Sequence, residues 1–171
     1  LNGVVASKPW FSRRRGEWSA AAQKWMDSPL RDEAIVYTSL LLDARPIWGT
    51  GGTGMESVLD GLRGRRDTMG LILAEALSTK ARIRSMRDVL SGKGGTFDIK
   101  EHALAPLTDI ARWVALFVGS GERDTRSRLR AAAGSVVLPG DQASTLIEVF
   151  EVLQRVRLNY QVAQFDRGET V

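Results

Sequence analysis

Apolar residues recur at helical spacing between Asp98 and Gly119, so this segment predicts the central helix of the fold. The apolar positions are Leu104, Leu107, Ile110, Ala111, Val114, Phe117 and Val118. Aspartate is a favourable residue before the first turn of a helix, and glycine is favourable just after the last turn. Pro106 removes one backbone donor inside the segment, so we expect a kink there or a short 3₁₀ turn before it.

A set of mostly polar residues shares this predicted helix. His102, Pro106, Asp109 and Arg112 follow one another three or four residues apart, which places them in one stripe. Such a stripe is most often the solvated face of a core helix, and less often the lining of a site. The pattern alone leaves both interpretations open.

Helical periodicity also describes the rest of the chain. The other predicted helices are 17–27, 31–42, 55–65, 68–90, 125–133 and 139–166. Asp124 or Thr125 is expected to cap the helix that ends before Gly134. Since no segment shows sustained strand-like alternation, the sequence predicts an all-α bundle of six or seven helices.

The last predicted helix carries polar residues in the phase of its apolar face. We expect its inner face to be formed by Leu146, Val149, Phe150, Leu153 and Tyr160. Arg157 lies seven residues after Phe150, and Gln161 and Gln164 continue the line. A buried arginine needs a partner, and Asp43 and Asp109 are the candidate acids. The result is either a structural ion-pair network or a polar cleft between helices.

Composition narrows the chemistry. The chain has 171 residues, 43% of them hydrophobic, which suits one domain with a sizeable core. It has no cysteine and one histidine, which excludes disulfides, thiolate zinc sites and histidine-rich metal sites. No apolar run is long enough for a membrane span. The chain begins at Leu1 without a signal peptide, so we expect a cytoplasmic fragment of a longer protein.

Charge and reactive residues give weaker signals. The net charge is +4, and the basic excess lies in the first half of the chain, which mildly favours an anionic partner there. No nucleophile–base set and no paired acids for two-metal chemistry can be assembled. The Gly-rich stretch 49–54 lacks the Gly-Lys-Ser/Thr ending of a phosphate-binding loop. We therefore do not expect this chain to catalyse a reaction alone.

Several short motifs occur together and in a characteristic order. They lie at 5–10, 17–18, 42–46, 97–100, 104–112, 125–129 and 157–161. In this arrangement the chain resembles the C-terminal substrate-binding domain of bacterial nucleotidyltransferases, signal-transduction proteins that carry cyclic-nucleotide-binding and CBS domains further upstream. The motifs cover nearly the whole chain and are specific jointly rather than singly.

The resemblance implies that catalysis and substrate binding belong to separate domains of one protein. Residues 1–16 would be the lead-in from a catalytic domain, and 17–171 a single helical substrate-binding domain. The upstream nucleotidyltransferase domain of the same chain, similar to that of PII-protein uridylyltransferases and aminoglycoside nucleotidyltransferases, would hold Mg²⁺ and the NTP. Within residues 1–171 the resemblance implies no cofactor and no catalytic residue. The catalytic residues would belong to the upstream domain.

The resemblance also implies which residues bind the acceptor, a small molecule or a protein. The matching polar positions are Asp43, Arg45, Lys100, Asp109, Arg112, Arg128, Arg157 and Gln161. Arginine can bind phosphate oxygens in a forked geometry, and the two acids could orient arginines or accept a substrate hydroxyl or amine. We expect Asp43, Asp109, Arg112 and Arg157 to converge on one open cleft.

Two other functions compete with acceptor binding. A regulatory or interaction domain, with a homodimer as one form, would expose an apolar patch and have no polar cleft. A nucleic-acid-binding module would use the arginines at 13–15 together with Arg63, Arg65 and Arg66. We rank acceptor binding first and nucleic-acid binding last.

Overall fold

The computed structural model describes residues 11–31, 33–45, 56–78 and 98–169, and of residues 56–59 only the backbone. Its helices are α1 (Arg15–Asp27), α2 (Ala34–Leu42), α3 (Glu56–Arg63), α4 (Arg66–Ser78), a π turn (Lys100–Leu104), α5 (Ala105–Val118), α6 (Thr125–Ala132) and α7 (Gly140–Asp166). Within these ranges the only pairing of β type is one isolated bridge between Ser135 and Leu138. The prediction of an all-α fold is confirmed.

Some predicted features lie outside the described residues. They are the lead-in motif at 5–10, Pro46, the Gly-rich stretch 49–54, the part of the predicted 68–90 helix after Ser78, the turn at 91–95, and Phe97. Elsewhere the predicted helix ends agree with the observed ones to within three residues, the usual scatter of helix boundaries.

The chain divides into two compact units, Leu1–Ile72 and Leu73–Val171, with the boundary inside α4. In the first unit, α1 packs against α2 and α3. Its core contains Ala22, Trp25, Met26, Ala34 and Leu62. The Thr68 hydroxyl donates to the Met26 carbonyl oxygen at 3.2 Å, which ties the start of α4 to the end of α1. The prediction of one domain over 17–171 stays a prediction.

Aromatic rings fill one side of the first unit. Trp18 and Trp25, two turns apart on α1, have ring centroids 6.3 Å apart, and Tyr37 of α2 lies 5.1 Å from Trp25. The Arg13 guanidinium lies 5.3 Å from the Trp18 ring and 5.4 Å from the Trp25 ring. These distances are within the range of a cation–π interaction, which holds the segment before α1 against the helix.

The core of the second unit forms where α5 crosses α6. The buried residues of this core are Leu107, Ala111, Val114, Leu129, Ala132, Leu138 and Ala143. Ala111, Leu129 and Ala132 have no exposed surface. Since alanine adds little bulk, the two helices can approach closely at these positions. Ile147 and Phe150 of α7 pack against the same cluster.

Pro106 follows a turn of a different kind from the short 3₁₀ turn that was one of our two expectations. It lies in the first turn of α5, directly after the π turn, in which the N–H of Ala105 donates to the Lys100 carbonyl oxygen five residues back. The expected 3₁₀ turn is therefore replaced by a wider one. A proline ring would collide with the carbonyl four residues earlier in a regular helix, here that of His102, and widening the turn relieves the conflict.

Two helix boundaries are set by the capping residues that the sequence predicts, one at the end of α5 and one at the start of α6. Gly119 follows α5 with φ of 80°, a left-handed conformation that glycine adopts without strain. The Asp124 carboxylate accepts from the Ser127 N–H at 2.9 Å and caps α6, which decides between the two cap residues proposed from the sequence. This hydrogen bond lowers the pKa of Asp124 from its ordinary value.

The inner face of α7 was predicted only in part. Leu146 and Phe150 pack on the core, and Leu153, Arg157 and Gln161 continue that line, partly buried. Val149 and Tyr160, however, are 43% and 58% exposed, so their assignment to the inner face was wrong. Measured from the mean direction of that line, Val149 lies about 80° and Tyr160 about 60° around the helix axis, which places both at the edge of the inner face and toward solvent.

Replacing Leu129 by alanine should lower the free energy of unfolding by about 2 to 5 kcal/mol, because it leaves a cavity between α5 and α6. Urea unfolding of the 171-residue chain measures the change. Val136, which is 92% exposed, provides the control, and its replacement by alanine should change the free energy by less than about 0.5 kcal/mol. Equal effects of the two substitutions would contradict this core.

Replacing Asp124 by asparagine should keep the cap hydrogen bond but remove its charge. Because the native pKa is lowered, the charge stabilises the fold above the unfolded pKa, and the effect is lost as the pH falls through the native pKa. We expect wild type to exceed Asp124→Asn by about 0.3 to 1 kcal/mol at neutral pH. Urea unfolding from neutral to strongly acidic pH should show this difference disappear; a difference independent of pH would contradict it.

Candidate functional site

Asp109 and Arg112 form an ion pair on one side of α5. The Arg112 Nη1 donates to the Asp109 Oδ1, three residues earlier on the same helix. The Arg112 side chain is only 12% exposed and the Asp109 side chain 33%. A partly desolvated ion pair interacts more strongly than one in open water, and its geometry is better defined. This part of the predicted polar stripe is therefore not simply a solvated face.

The π turn places further polar groups before α5. The Asp98 carboxylate accepts from the Glu101 N–H at 3.0 Å, and this bond is the main reason that the pKa of Asp98 is lowered. The Nδ1 of His102 lies 3.2 Å from the Asp98 carbonyl oxygen. Lys100, one of the predicted binding residues, is exposed. Its ammonium group can therefore meet an anionic ligand from solvent.

Arg128 has a position unlike that of the other predicted binding residues. It lies on α6, and only 3% of its surface is exposed. Its Nε donates to the Glu122 carbonyl oxygen at 2.9 Å, which fixes the loop between α5 and α6. In the same loop, the Glu122 N–H donates to the Ser120 hydroxyl at 3.1 Å. The observed contact is structural, and a role of Arg128 in binding stays a prediction.

Four elements of the second unit carry predicted binding residues. Each of the four contacts the next, and the last contacts the first. The π turn adjoins α5, α5 packs on α6, α6 packs on α7, and α7 contacts the π turn. These elements carry Lys100, Asp109, Arg112, Arg128, Arg157 and Gln161. Arg157 and Gln161 are partly buried on the line of α7 that continues its core face. Direct side-chain contact is observed between Asp109 and Arg112.

The remaining two predicted residues belong to the first unit. Asp43 directly follows the last turn of α2 and is exposed, as is Arg45. The convergence of Asp43 with Asp109, Arg112 and Arg157 stays a prediction.

Several arginines proposed for nucleic-acid binding contact groups of the chain itself. Arg65 pairs with Asp27 and Arg63 with Asp60, the latter at 3.2 Å. Arg13 lies over two tryptophan rings. The sequence carries a signal for this contact, since Trp18 and Trp25 are seven residues apart, on one face of the helix, and follow Arg13 closely. These contacts weaken the case for a nucleic-acid surface, because the charges are already engaged.

The described part of the chain contains no group of three or more metal-ligating side chains close enough to hold a metal ion. None of the helices described is both long and apolar enough to cross a bilayer.

A family model described as "Putative nucleotidyltransferase substrate binding domain" matches residues 67–171. The match begins at the start of α4 and includes every element of the second unit. No curated protein matches the chain. No solved structure matches it either.

Replacing Arg128 by methionine should lower the free energy of unfolding by about 1.5 to 3 kcal/mol, because a charged hydrogen bond to the Glu122 carbonyl is lost inside the protein. The matched control is Arg130→Met on the same helix, where the side chain is exposed and the change should be below about 0.5 kcal/mol. Urea unfolding compares the two variants. If Arg128→Met is as stable as Arg130→Met, Arg128 does not hold the loop.

Proposed function

Because the chain belongs to the family of nucleotidyltransferase substrate-binding domains, we propose that it holds the acceptor for a nucleotidyltransferase domain of the same protein. The observation that carries this proposal is the family match over residues 67–171 together with the shielded ion pair on α5 within that segment. The acceptor-binding surface would be built on the π turn, α5 and α7.

The chemistry of the proposed surface suits an anionic or polar acceptor. Arg112 and Arg157 present planar guanidinium groups that can bind a phosphate or carboxylate through two parallel hydrogen bonds. Asp109 orients the Arg112 guanidinium through their ion pair. Gln161 can both donate and accept, which suits an acceptor hydroxyl or amide. Lys100, exposed on the π turn, would add a further positive charge.

The chain's contribution to the reaction would be to position the acceptor. In nucleotidyl transfer, an acceptor hydroxyl or amine attacks the α-phosphorus of an NTP, a new phosphorus–oxygen or phosphorus–nitrogen bond forms, and pyrophosphate leaves. The upstream domain would hold the NTP and Mg²⁺. Fixing the acceptor close to the α-phosphate would then replace a bimolecular encounter by a reaction within one complex.

The finer version of the proposal is a bacterial, cytoplasmic signal-transduction protein of the PII-uridylyltransferase type. Its support is the ordered set of motifs in the sequence, among them 104–112 and 157–161, which resemble those of bacterial signal-transduction nucleotidyltransferases. The catalytic domain of those proteins is in turn similar to that of PII uridylyltransferases. The acceptor would then be a hydroxyl group on a small signalling protein, and the nucleotide UTP. A small-molecule acceptor remains the alternative within the same function.

A second function is favoured by a separate observation. Much of the apolar surface of α7 is exposed, as expected for a domain that associates with another copy or another protein. Association and acceptor binding are compatible, because they would use different faces of this helix.

The test uses the protein that contains this chain together with its upstream domain. It is incubated with Mg²⁺, each of the four NTPs in turn, and either a PII-type signal protein or the low-molecular-weight fraction of a bacterial extract. Mass spectrometry then detects nucleotidylated products. Arg112→Met should reduce the yield at limiting acceptor by about tenfold or more, since a charged hydrogen-bonding group is lost. Arg130→Met should leave the yield unchanged.

The possible results separate the coarse proposal from the fine one. Transfer of UMP to the PII-type protein supports both. Transfer only to a small molecule supports acceptor binding and overturns the PII type. A yield that is equal in Arg112→Met and Arg130→Met overturns the assignment of the site to α5, and transfer to neither acceptor overturns the proposed function.

A further inference from the structure

The last two thirds of α7 expose an unusual amount of apolar surface. Seven large apolar side chains between residues 149 and 165 are 43% to 75% exposed. They are Val149, Val152, Val156, Leu158, Tyr160, Val162 and Phe165. A helix with apolar residues on several sides is normally buried in a larger assembly. We therefore expect another protein surface to cover this part of α7.

Four of these residues form one stripe. Val149, Val152, Val156 and Tyr160 follow one another at spacings of three, four and four residues, close to the repeat of a helix that packs lengthwise against another helix. Ala163 continues the stripe one turn further. We call these five residues the outer stripe. It lies about 100° around the helix axis from the inner face that packs on the core.

Charged residues follow one edge of the outer stripe. Glu148 and Arg155 lie on the edge away from the core, both are exposed, and they are two turns, or about 10 Å, apart along the helix. When two copies of a helix pack antiparallel about a two-fold axis, each edge faces the same edge of the other copy in reverse order. Alongside the stripe this edge carries one acid and one base, Glu148 and Arg155, and is then complementary to itself. Asp141 and Asp166 lie on the same line beyond the two ends of the stripe.

We propose that the outer stripe of α7 binds the outer stripe of a second copy of this chain, antiparallel, with Glu148 of each copy opposite Arg155 of the other. The two-fold axis passes between Glu151 and Val152, midway between the paired charges. Val149 then lies level with the gap between Val152 and Val156 of the second copy. This register places apolar residues along the seam and opposite charges at its edge.

The size of the surface predicts a weak dimer. The outer stripe consists of five residues, one of them alanine, whereas a standard stable interface takes roughly 20 to 30 residues and roughly 800 Å² from each partner. A dissociation constant in the micromolar range is therefore expected, and local concentration in a multidomain protein would strengthen the association. The dimer does not depend on the proposed acceptor site, since it uses the outer side of α7.

The first test measures the mass of the 171-residue chain by sedimentation equilibrium, from low micromolar to several hundred micromolar. Wild type should dimerise over this range. Val152→Glu places a charge in the seam and should weaken the dimer by about tenfold or more. Val136→Glu makes the same chemical change at a side chain that is 92% exposed and off α7, and should leave the dimer unchanged.

The second test exchanges the paired charges and does not disturb the apolar seam. Glu148→Arg and Arg155→Glu should each weaken the dimer several-fold, because each brings like charges together. The double variant should return the dissociation constant to within about twofold of wild type, as a double-mutant cycle requires for directly interacting residues. Circular dichroism checks that all variants keep the helical content of wild type.

Three results would overturn the proposal. One is a wild-type chain that stays monomeric at every concentration. Another is a Val136→Glu variant that is impaired as much as Val152→Glu. The third is a double charge-exchange variant that is as weak as the single variants, which would exclude the antiparallel register.

Discussion

The close packing of α5 on α6 is the contact on which the second unit depends. Ala111 and Ala132 have no exposed surface and little bulk, so the two helices can approach closely, and Leu129 of α6 shares one buried cluster with Leu107 and Val114 of α5. Once α5 is held in this orientation, the rest of its surface has no freedom to rotate. Asp109 and Arg112 are then fixed on its flank, where neighbouring elements shield them from much of the solvent.

Shielding from solvent strengthens the ion pair between Asp109 and Arg112 and restricts the orientation of the two side chains. The same two side chains on an isolated helix would form an exposed ion pair of little energetic consequence. In the folded unit the pair is partly desolvated, so Arg112 is held in one orientation, as the proposed acceptor site would require. Arg128 is held in a different way. It is the more deeply buried arginine, and it donates to a backbone carbonyl of the loop before its own helix.

The long α7 has two faces with different surroundings. Leu146 and Phe150 complete the core, and the same line continues through Leu153 to the partly buried Arg157 and Gln161. The outer stripe turns away from that core. An acceptor site on the inner line and a dimer contact on the outer stripe would share one rigid helix, so that binding at one face need not obstruct the other.

The sequence by itself determined the features that depend on neighbours in the chain. Helical periodicity predicted α5, α6 and α7, and residue chemistry predicted the caps at Asp124 and Gly119, because a cap bonds to backbone within a few residues. Tertiary structure alone decided which apolar face of α7 is covered, since periodicity gives the phase of a residue and not the position of its neighbours. For the same reason it decided that Val149 and Tyr160 are exposed, that Arg13 lies over two tryptophans, and that Arg128 is buried against a loop.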